Sequence, residues 1–202
     1  IVGVSSLLIA CNIFHLYHNF ADSFEMSFFQ VSNVITTTGF GFGNTVDWPL
    51  FSQFLLLMLM VVGGSAGSTA GGLKVIRCLI LARIGKNQIR SMLSPNRVMT
   101  LHINGSSLDK DTQHKILKYF VVYTLITIAL IAVVSFDSNN FMTVVSAVFS
   151  CFNNIGPMIG TTDTFAIFSP ISKFLLSIAM IAGRLEIYPM LLLFMPRTWS
   201  DR

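Results

Sequence analysis

Apolar and polar positions along this chain separate into long blocks rather than short alternations. The longest apolar blocks are Leu50 to Val62, Tyr119 to Val134 and Ile171 to Phe194, approaching or exceeding the roughly 20 residues that span a hydrocarbon core. At least three membrane-spanning segments are expected from them. Ile1 to Phe14 is also apolar, but it is shorter than a span and lacks the basic n-region and small-residue cleavage site of a signal peptide. It reads as a spanning helix cut at its start, and the chain as a fragment.

Two shorter stretches lie between these blocks, about Asp22 to Ile35 and about Asn140 to Phe152. As helices rising about 1.5 Å per residue they reach only partway across a core about 30 Å thick. Asp22 with Glu25 three residues later resembles an N-cap and N3 pair, and Asn139 or Asn140 suits the cap of the second helix. Each short helix leads into a glycine-bearing stretch, Thr36 to Gly43 in one case and Asn153 to Gly160 in the other. Lipid does not solvate non-helical backbone at such depth, so a protein-lined wet pore or binding cavity is the expectation.

The pattern occurs twice. Ser52-Gln53-Phe54-Leu55-Leu56 matches Ser172-Lys173-Phe174-Leu175-Leu176, Met60-Val61-Val62-Gly63 matches Met180-Ile181-Ala182-Gly183, and Gly39 and Gly43 align with Gly156 and Gly160. An internal repeat fixes architecture more firmly than any single segment. The reading is an all-α membrane protein of two helix, pore-helix, helix units. The first covers residues 1–84, with its pore helix and filter at about 22–43 and a broken second helix over 50–84. A cytoplasmic connection covers 85–118, and the second unit 119–202, with its filter at about 153–160. Within the connection, the Asn104-Gly105 turn between short extended runs from Leu101 to Ser107 predicts a small hairpin.

Composition agrees. Apolar residues make up 53% of the chain and charged residues 11%, against roughly a quarter charged in soluble domains. The net charge is +4, but its placement matters more than its sum. Arg77, Arg83, Lys86, Arg90, Arg97, Lys110, Lys115 and Lys118 crowd one connection, while Asp22, Glu25, Asp47, Asp137 and Asp163 lie in the others. The basic side is therefore cytoplasmic, and a nucleic-acid partner is not indicated. Cys11, Cys78 and Cys151 have neither paired nor metal-ligand spacing and read as small core residues. His15 and His18 flank an interface with Tyr17 and are given no role. No nucleophile, base and orienter set stands among the intramembrane polar residues, so an enzyme is not expected.

Thr37-Thr38-Gly39-Phe40-Gly41 has the form hydroxyl, residue, glycine, aromatic, glycine, close to the Thr-Val-Gly-Tyr-Gly loop whose carbonyls replace the hydration shell of potassium. Carbonyls turn inward together only if alternate residues take backbone angles costly for a side chain, which glycine tolerates. The short helix before it directs a partially negative C-terminus at the pore. The counterpart is Asn154-Ile155-Gly156-Pro157. Potassium is expected at Thr37, Thr38, Gly39, Asn154, Ile155 and Gly156. Glycines that merely allow tight turns or close packing are the plainer alternative.

The run Gly63-Gly64-Ser65-Ala66-Gly67-Ser68-Thr69-Ala70-Gly71-Gly72, followed by Leu73 and Lys74, interrupts an apolar segment with poor helix formers. It lacks the ending of a phosphate-binding loop. Either Gly63, Gly67 and Gly71 form a G-x-x-x-G packing face, or the run is a flexible intramembrane loop that blocks or clears an ion path. Arg184 falls in the register of Gly64 within the last apolar block, where a charge costs a few kcal/mol unless it meets a wet cavity or a partner. It is expected to face the pore opposite the loop. Lys74 could act similarly or snorkel toward the cytoplasmic interface.

These segments, together with Asn153-Asn154-Ile155-Gly156-Pro157 and Ala182-Gly183-Arg184-Leu185-Glu186, resemble the C-terminal half of Trk-type potassium uptake proteins of the Trk/Ktr/HKT superfamily. The likeness covers essentially the whole chain. It implies a potassium-channel-like fold with four units around one pore, of which this chain carries the third and fourth. It also implies potassium as the transported ion with no covalently bound cofactor, and the glycine loop as gate. Further implications are a homodimer in membrane lipid, a cytosolic TrkA-type nucleotide-binding regulatory subunit, and a multi-pass place in the bacterial inner membrane. Asn154 and Pro157 depart from the family's threonine and aromatic, and Met158 from a glycine, so the fourth wall coordinates less ideally. A cation-coupled secondary transporter with its site at the broken helix is the competing function, and a non-conducting structural or receptor subunit the third. The pore helix with its oxygen-rich hairpin discriminates against both.

Overall fold

The computed structural model describes residues 1–41, 45–65, 67–68, 70–93, 102–103, 106–107 and 109–185. Helix α1 (Val2–Tyr17) stops where His18 turns left-handed, with φ 54°. Helix α2 (Phe20–Ile35) begins at once, because the Asn19 carboxamide oxygen accepts from the Ala21 amide at 3.1 Å. Asn19, not Asp22, is therefore the N-cap. Asp22 sits at the third helical position, where it accepts from the Asn19 side-chain amide at 3.1 Å and still complements the helix dipole.

Small residues let α1 and α2 approach. Ser5, Ser6, Ser23 and Ser27 are buried, and the Ser27 hydroxyl donates to the Ser6 carbonyl at 2.9 Å. Helix α3 (Leu50–Val62) is tied to α1 through Ser52 Oγ and Asn12 Oδ1 at 2.7 Å. After a non-helical stretch the chain resumes as α4 (Val75–Leu93). The expected hairpin is present as strands His102–Ile103 and Ser106–Ser107, paired antiparallel with Ile103 opposite Ser106; Asn104 and Gly105 lie outside the described residues.

The second unit begins with α5 (Lys110–Val134). Helix α6 (Phe141–Phe152) is capped by Asn140, whose side-chain oxygen accepts from the Met142 amide at 3.0 Å. A short 3-10 turn at Phe165–Ile167 leads to α7 (Pro170–Leu185). The units share a core in which Ile9, Ile13, Val31, Leu56 and Met60 pack with Val145, Ile155 and Ile159. A further cluster joins Leu73, Tyr119, Tyr123, Phe152, Ala179 and Ala182.

Among the described residues, α5 alone is long and apolar enough to cross a membrane. The Leu50 block, expected to span, yields a 13-residue helix because it breaks at Gly63. The Ile171 block is helical to Leu185, and its remainder lies outside the described residues. Large apolar side chains nevertheless face outward on several helices, including Phe54, Leu125, Ile128 and Phe174, as they would toward lipid. Cys151 is buried, but Cys11 is exposed, against the expectation that it fills a core. It falls off the buried stripe of Ser6, Ile9, Ala10 and Ile13.

The repeat register holds for α3 and α7 up to its last residue. Gly63 ends α3 with φ 65° and ψ −159°, whereas its counterpart Gly183 stays helical. A Cβ on Gly183 would run into the Phe152 carbonyl. Its missing side chain serves close packing of α7 on the end of α6, while that of Gly63 serves a break.

Candidate functional site

The two short helices end alike. In α2, Thr36 is the C-cap, Thr37 is left-handed at φ 53°, Thr37 N donates to Val34 O at 3.2 Å and Thr38 N to Asn33 O at 3.1 Å. In α6, Asn153 is the C-cap, Asn154 is left-handed at φ 57°, Asn154 N donates to Cys151 O at 3.1 Å and Ile155 N to Ser150 O at 2.9 Å. Both are Schellman motifs, with threonine and asparagine where glycine is usual. Asparagine visits this region readily; a β-branched threonine does so at a cost of about 1–2 kcal/mol.

Two residues later the backbone turns left-handed again, with φ 79° at Gly39 and 112° at Gly156. Thr38 and Ile155, between them, keep negative φ. Thr37 and Gly39 in one unit and Asn154 and Gly156 in the other thus carry the same alternation, of the kind that turns successive carbonyls to a common side. The two segments adjoin. A Cβ on Gly39 would run into the Ile155 carbonyl oxygen, and one on Gly156 would lie 3.8 Å from the Gly39 oxygen.

Buried polar side chains brace both segments, and sequence reasoning missed them. Asn33 accepts from Phe40 N and donates to Phe40 O, both at 2.8 Å. Ser150 accepts from Gly156 N at 3.1 Å, and Ser146 from Ile159 N. Gly160 N donates to Thr45 Oγ1 at 3.2 Å, and Gln53 Nε2 reaches the carbonyls of Thr45, Val46 and Trp48 at 3.0 to 3.1 Å. The available signal was the spacing of Ser146 and Ser150, four apart on one face of an apolar helix. A cavity of about 120 Å³ lies beside Asn33, Phe40, Gly41, Pro157 and Met158. Phe42, Gly43 and Asn44 lie outside the described residues.

The glycine run folds back on the end of α3. Leu73 N donates to Val61 O and Val75 N to Gly64 O, both at 3.0 Å. A Cβ on Gly63 would meet the Gly71 carbonyl, and one on Gly72 would lie 3.0 Å from Val61 O. Within the loop, Ser68 N donates to Ser65 O at 3.0 Å, and Ala70 N to Ser68 Oγ at 3.1 Å. Because Gly63 terminates the helix, Gly63, Gly67 and Gly71 form no continuous packing face. A Cβ on Gly67 meets nothing among the described residues. Gly71 abuts the Asn153 carbonyl, which a Cβ there would strike. Ala66 and Thr69 lie outside the described residues.

Ser68, Ala70, Gly72, Lys74, Tyr119, Gly183 and Arg184 line one cavity of about 240 Å³. The loop, its following lysine and the arginine of α7 are therefore brought together around one cavity. Glu186 lies outside the described residues.

A family model described as TrkH, cation transport protein, matches residues 15–201. The chain is 35% identical to the Trk system potassium uptake protein TrkH of Salmonella typhimurium, over 99% of its own length and 43% of that protein. It is 34% identical to the Trk system potassium uptake protein TrkG of Escherichia coli, over 89% and 37%. Its fold is similar to the crystal structure of the potassium transporter TrkH from Vibrio parahaemolyticus, with a TM-score of 0.90 and 32% identity over 99% of this chain and 43% of that one. The chain thus spans less than half the length of these relatives.

Proposed function

The chain belongs to the TrkH family of cation transport proteins, and on that premise we propose that the whole protein takes up potassium across the bacterial inner membrane as a multi-pass, channel-like pore. The relatives it matches are named potassium uptake proteins and are not enzymes. The observation that carries the reading is the paired alternation of left-handed residues, Thr37 and Gly39 beside Asn154 and Gly156. Carbonyls of Thr37, Thr38, Gly39, Asn154, Ile155 and Gly156, with threonine hydroxyls, supply hard oxygen ligands to a dehydrated cation. Phe40, Gly41 and Pro157 complete the outer ends, held by Asn33 and the cross-unit contacts.

The glycine loop from Gly63 to Gly72 is the gate in this reading. Its backbone is folded back beneath the second filter segment, where it obstructs an ion leaving the filter. Arg184 and Lys74 line the cavity beside it and add a cationic barrier that limits leak. The same two charges weaken the competing reading, a cation-coupled symporter with its site at the broken helix, because they repel a cation from that cavity. The protein works as a homodimer with a TrkA-type nucleotide-binding subunit on its basic cytoplasmic side.

The test is rubidium and sodium uptake by the complete protein in cells deficient in potassium uptake, comparing the natural sequence with Gly39→Ser at matched membrane abundance. Uptake that favours rubidium, with sodium admitted or the preference lost in the variant, supports the carbonyl filter. Stably inserted protein that carries neither ion in either form overturns it and moves the search to a solute held at the glycine loop.

A further inference from the structure

Tyr123 of α5 is buried, and its hydroxyl donates to the Asn153 side-chain oxygen at 2.9 Å. Its ring stacks on Phe152, the last residue of α6, with centroids 4.9 Å apart. Asn153 has no exposed surface, and its Nδ2 has no hydrogen-bond partner among the described residues. Its main-chain carbonyl is the atom against which Gly71 of the glycine loop lies. One residue therefore ends the pore helix, starts the filter turn, supports the loop beneath, and is anchored by a single side-chain bond among the described residues. The corresponding residue of the first unit, Thr36, is exposed and bonds locally to Ser32 O and Thr38 Oγ1. Among the described residues, the anchor has no counterpart at Thr36.

We propose that Tyr123 is a positioning residue that fixes Asn153 between the filter and the glycine loop, so that the ion preference of the pore and the seating of its gate both depend on a side chain that belongs to neither. The inference rests on the filter and gate reading of the proposed function. A buried amide with one group already unpaired has no second bond in reserve, so losing Tyr123 leaves the whole carboxamide unsatisfied, a state proteins avoid. The base of the second filter segment then shifts, and the Asn153 carbonyl moves away from Gly71. Tyr119, one turn earlier on α5, carries the connection toward α4, since the Arg77 guanidinium lies 4.3 Å from the centre of its ring.

The experiment measures rubidium and sodium uptake by the complete protein carrying Tyr123→Phe, which keeps the ring stack and deletes the bond. Asn153→Thr, which installs the residue found in the first unit, and the double variant accompany it at matched membrane abundance. The expected result is a rubidium-over-sodium preference reduced about three- to tenfold in each single variant, with higher uptake at low external potassium. The double variant should be no worse than the poorer single one, because both remove the same bond. Preference unchanged in inserted Tyr123→Phe overturns the proposal, as do effects that simply add. If Tyr123→Phe does not accumulate in the membrane, Asn153→Thr alone decides by the same readout. Loss of preference in Gly39→Ser with none in these variants leaves the filter standing and removes Tyr123 from it; no change in any of them removes the filter reading itself.

Discussion

Gly39 and Ile155 stand so close across the two units that a methyl group on the first would strike the carbonyl oxygen of the second. The contact joins residues more than a hundred positions apart and aligns two backbone segments of the same hand. It makes one glycine answerable for the placement of both segments.

Gly39→Ala should therefore harm ion preference more than Gly156→Ala. Each forces a side chain into positive φ at about 1–2 kcal/mol or more, but only at Gly39 does the added carbon also displace the neighbouring segment. Relative rubidium and sodium uptake should fall by roughly tenfold or more for Gly39→Ala, and by less for Gly156→Ala. A reversed order would show that the cross-unit contact is not the constraint.

Within the glycine loop, Gly71→Ala and Gly67→Ala should separate. The first drives a Cβ into Asn153 O and the second enters open space. Gly71→Ala should loosen the loop and raise rubidium uptake several-fold, while Gly67→Ala should stay within about twofold of the natural protein, as an unopposed exposed substitution does. Equal effects would mean that the loop does not work through its contact with Asn153.

Arg184→Ala should increase cation flux, since it removes a positive charge from the cavity shared with Ser68, Gly72 and Lys74. A barrier of about 1 kcal/mol corresponds to roughly a fivefold rise. Arg184→Lys should keep most of the barrier. Unchanged uptake in Arg184→Ala would remove its role in limiting leak.

Asp137 lies in the turn after α5 and holds the start of α7. The Ser172 hydroxyl and the Ser169 amide, the latter at 2.9 Å, keep its carboxyl below the usual carboxylate range. The folded value is lowered, so the stabilisation is complete above the unfolded value of about 4 and is lost as pH falls through the folded one. Hydrogen exchange of Ser172 and Lys173 should be equally protected at pH 7 and pH 5, and less protected in Asp137→Asn at pH 7. Full protection in that variant would contradict the assignment.

Much of the architecture was legible in the pattern of apolar blocks. Helices too short to cross, each leading into a glycine-bearing stretch, were readable in advance, and α2 and α6 occupy nearly the expected ranges. The choice of Asn19 over Asp22 as cap was not legible, because both residues are competent. It depends on His18 ending α1. Gly63 and Gly183 match in register, yet one breaks a helix and the other packs inside one. The residues after each glycine decide between these fates: Gly64 and Ser65 are poor helix formers, Arg184 and Leu185 good ones. The bracing by Asn33, Ser150 and Tyr123 was hidden for another reason: a polar residue in an apolar helix announces that it needs a partner, but only the fold chooses which.

The most direct measurement is the anomalous scattering of rubidium in crystals of the complete protein. The filter account predicts a rubidium peak within coordination distance of the carbonyl oxygens of residues 37 to 39 and 154 to 156, displaced by potassium and absent or weakened in sodium. Rubidium that binds elsewhere, with none beside Gly39 and Gly156 in a protein shown to transport it, would contradict the account.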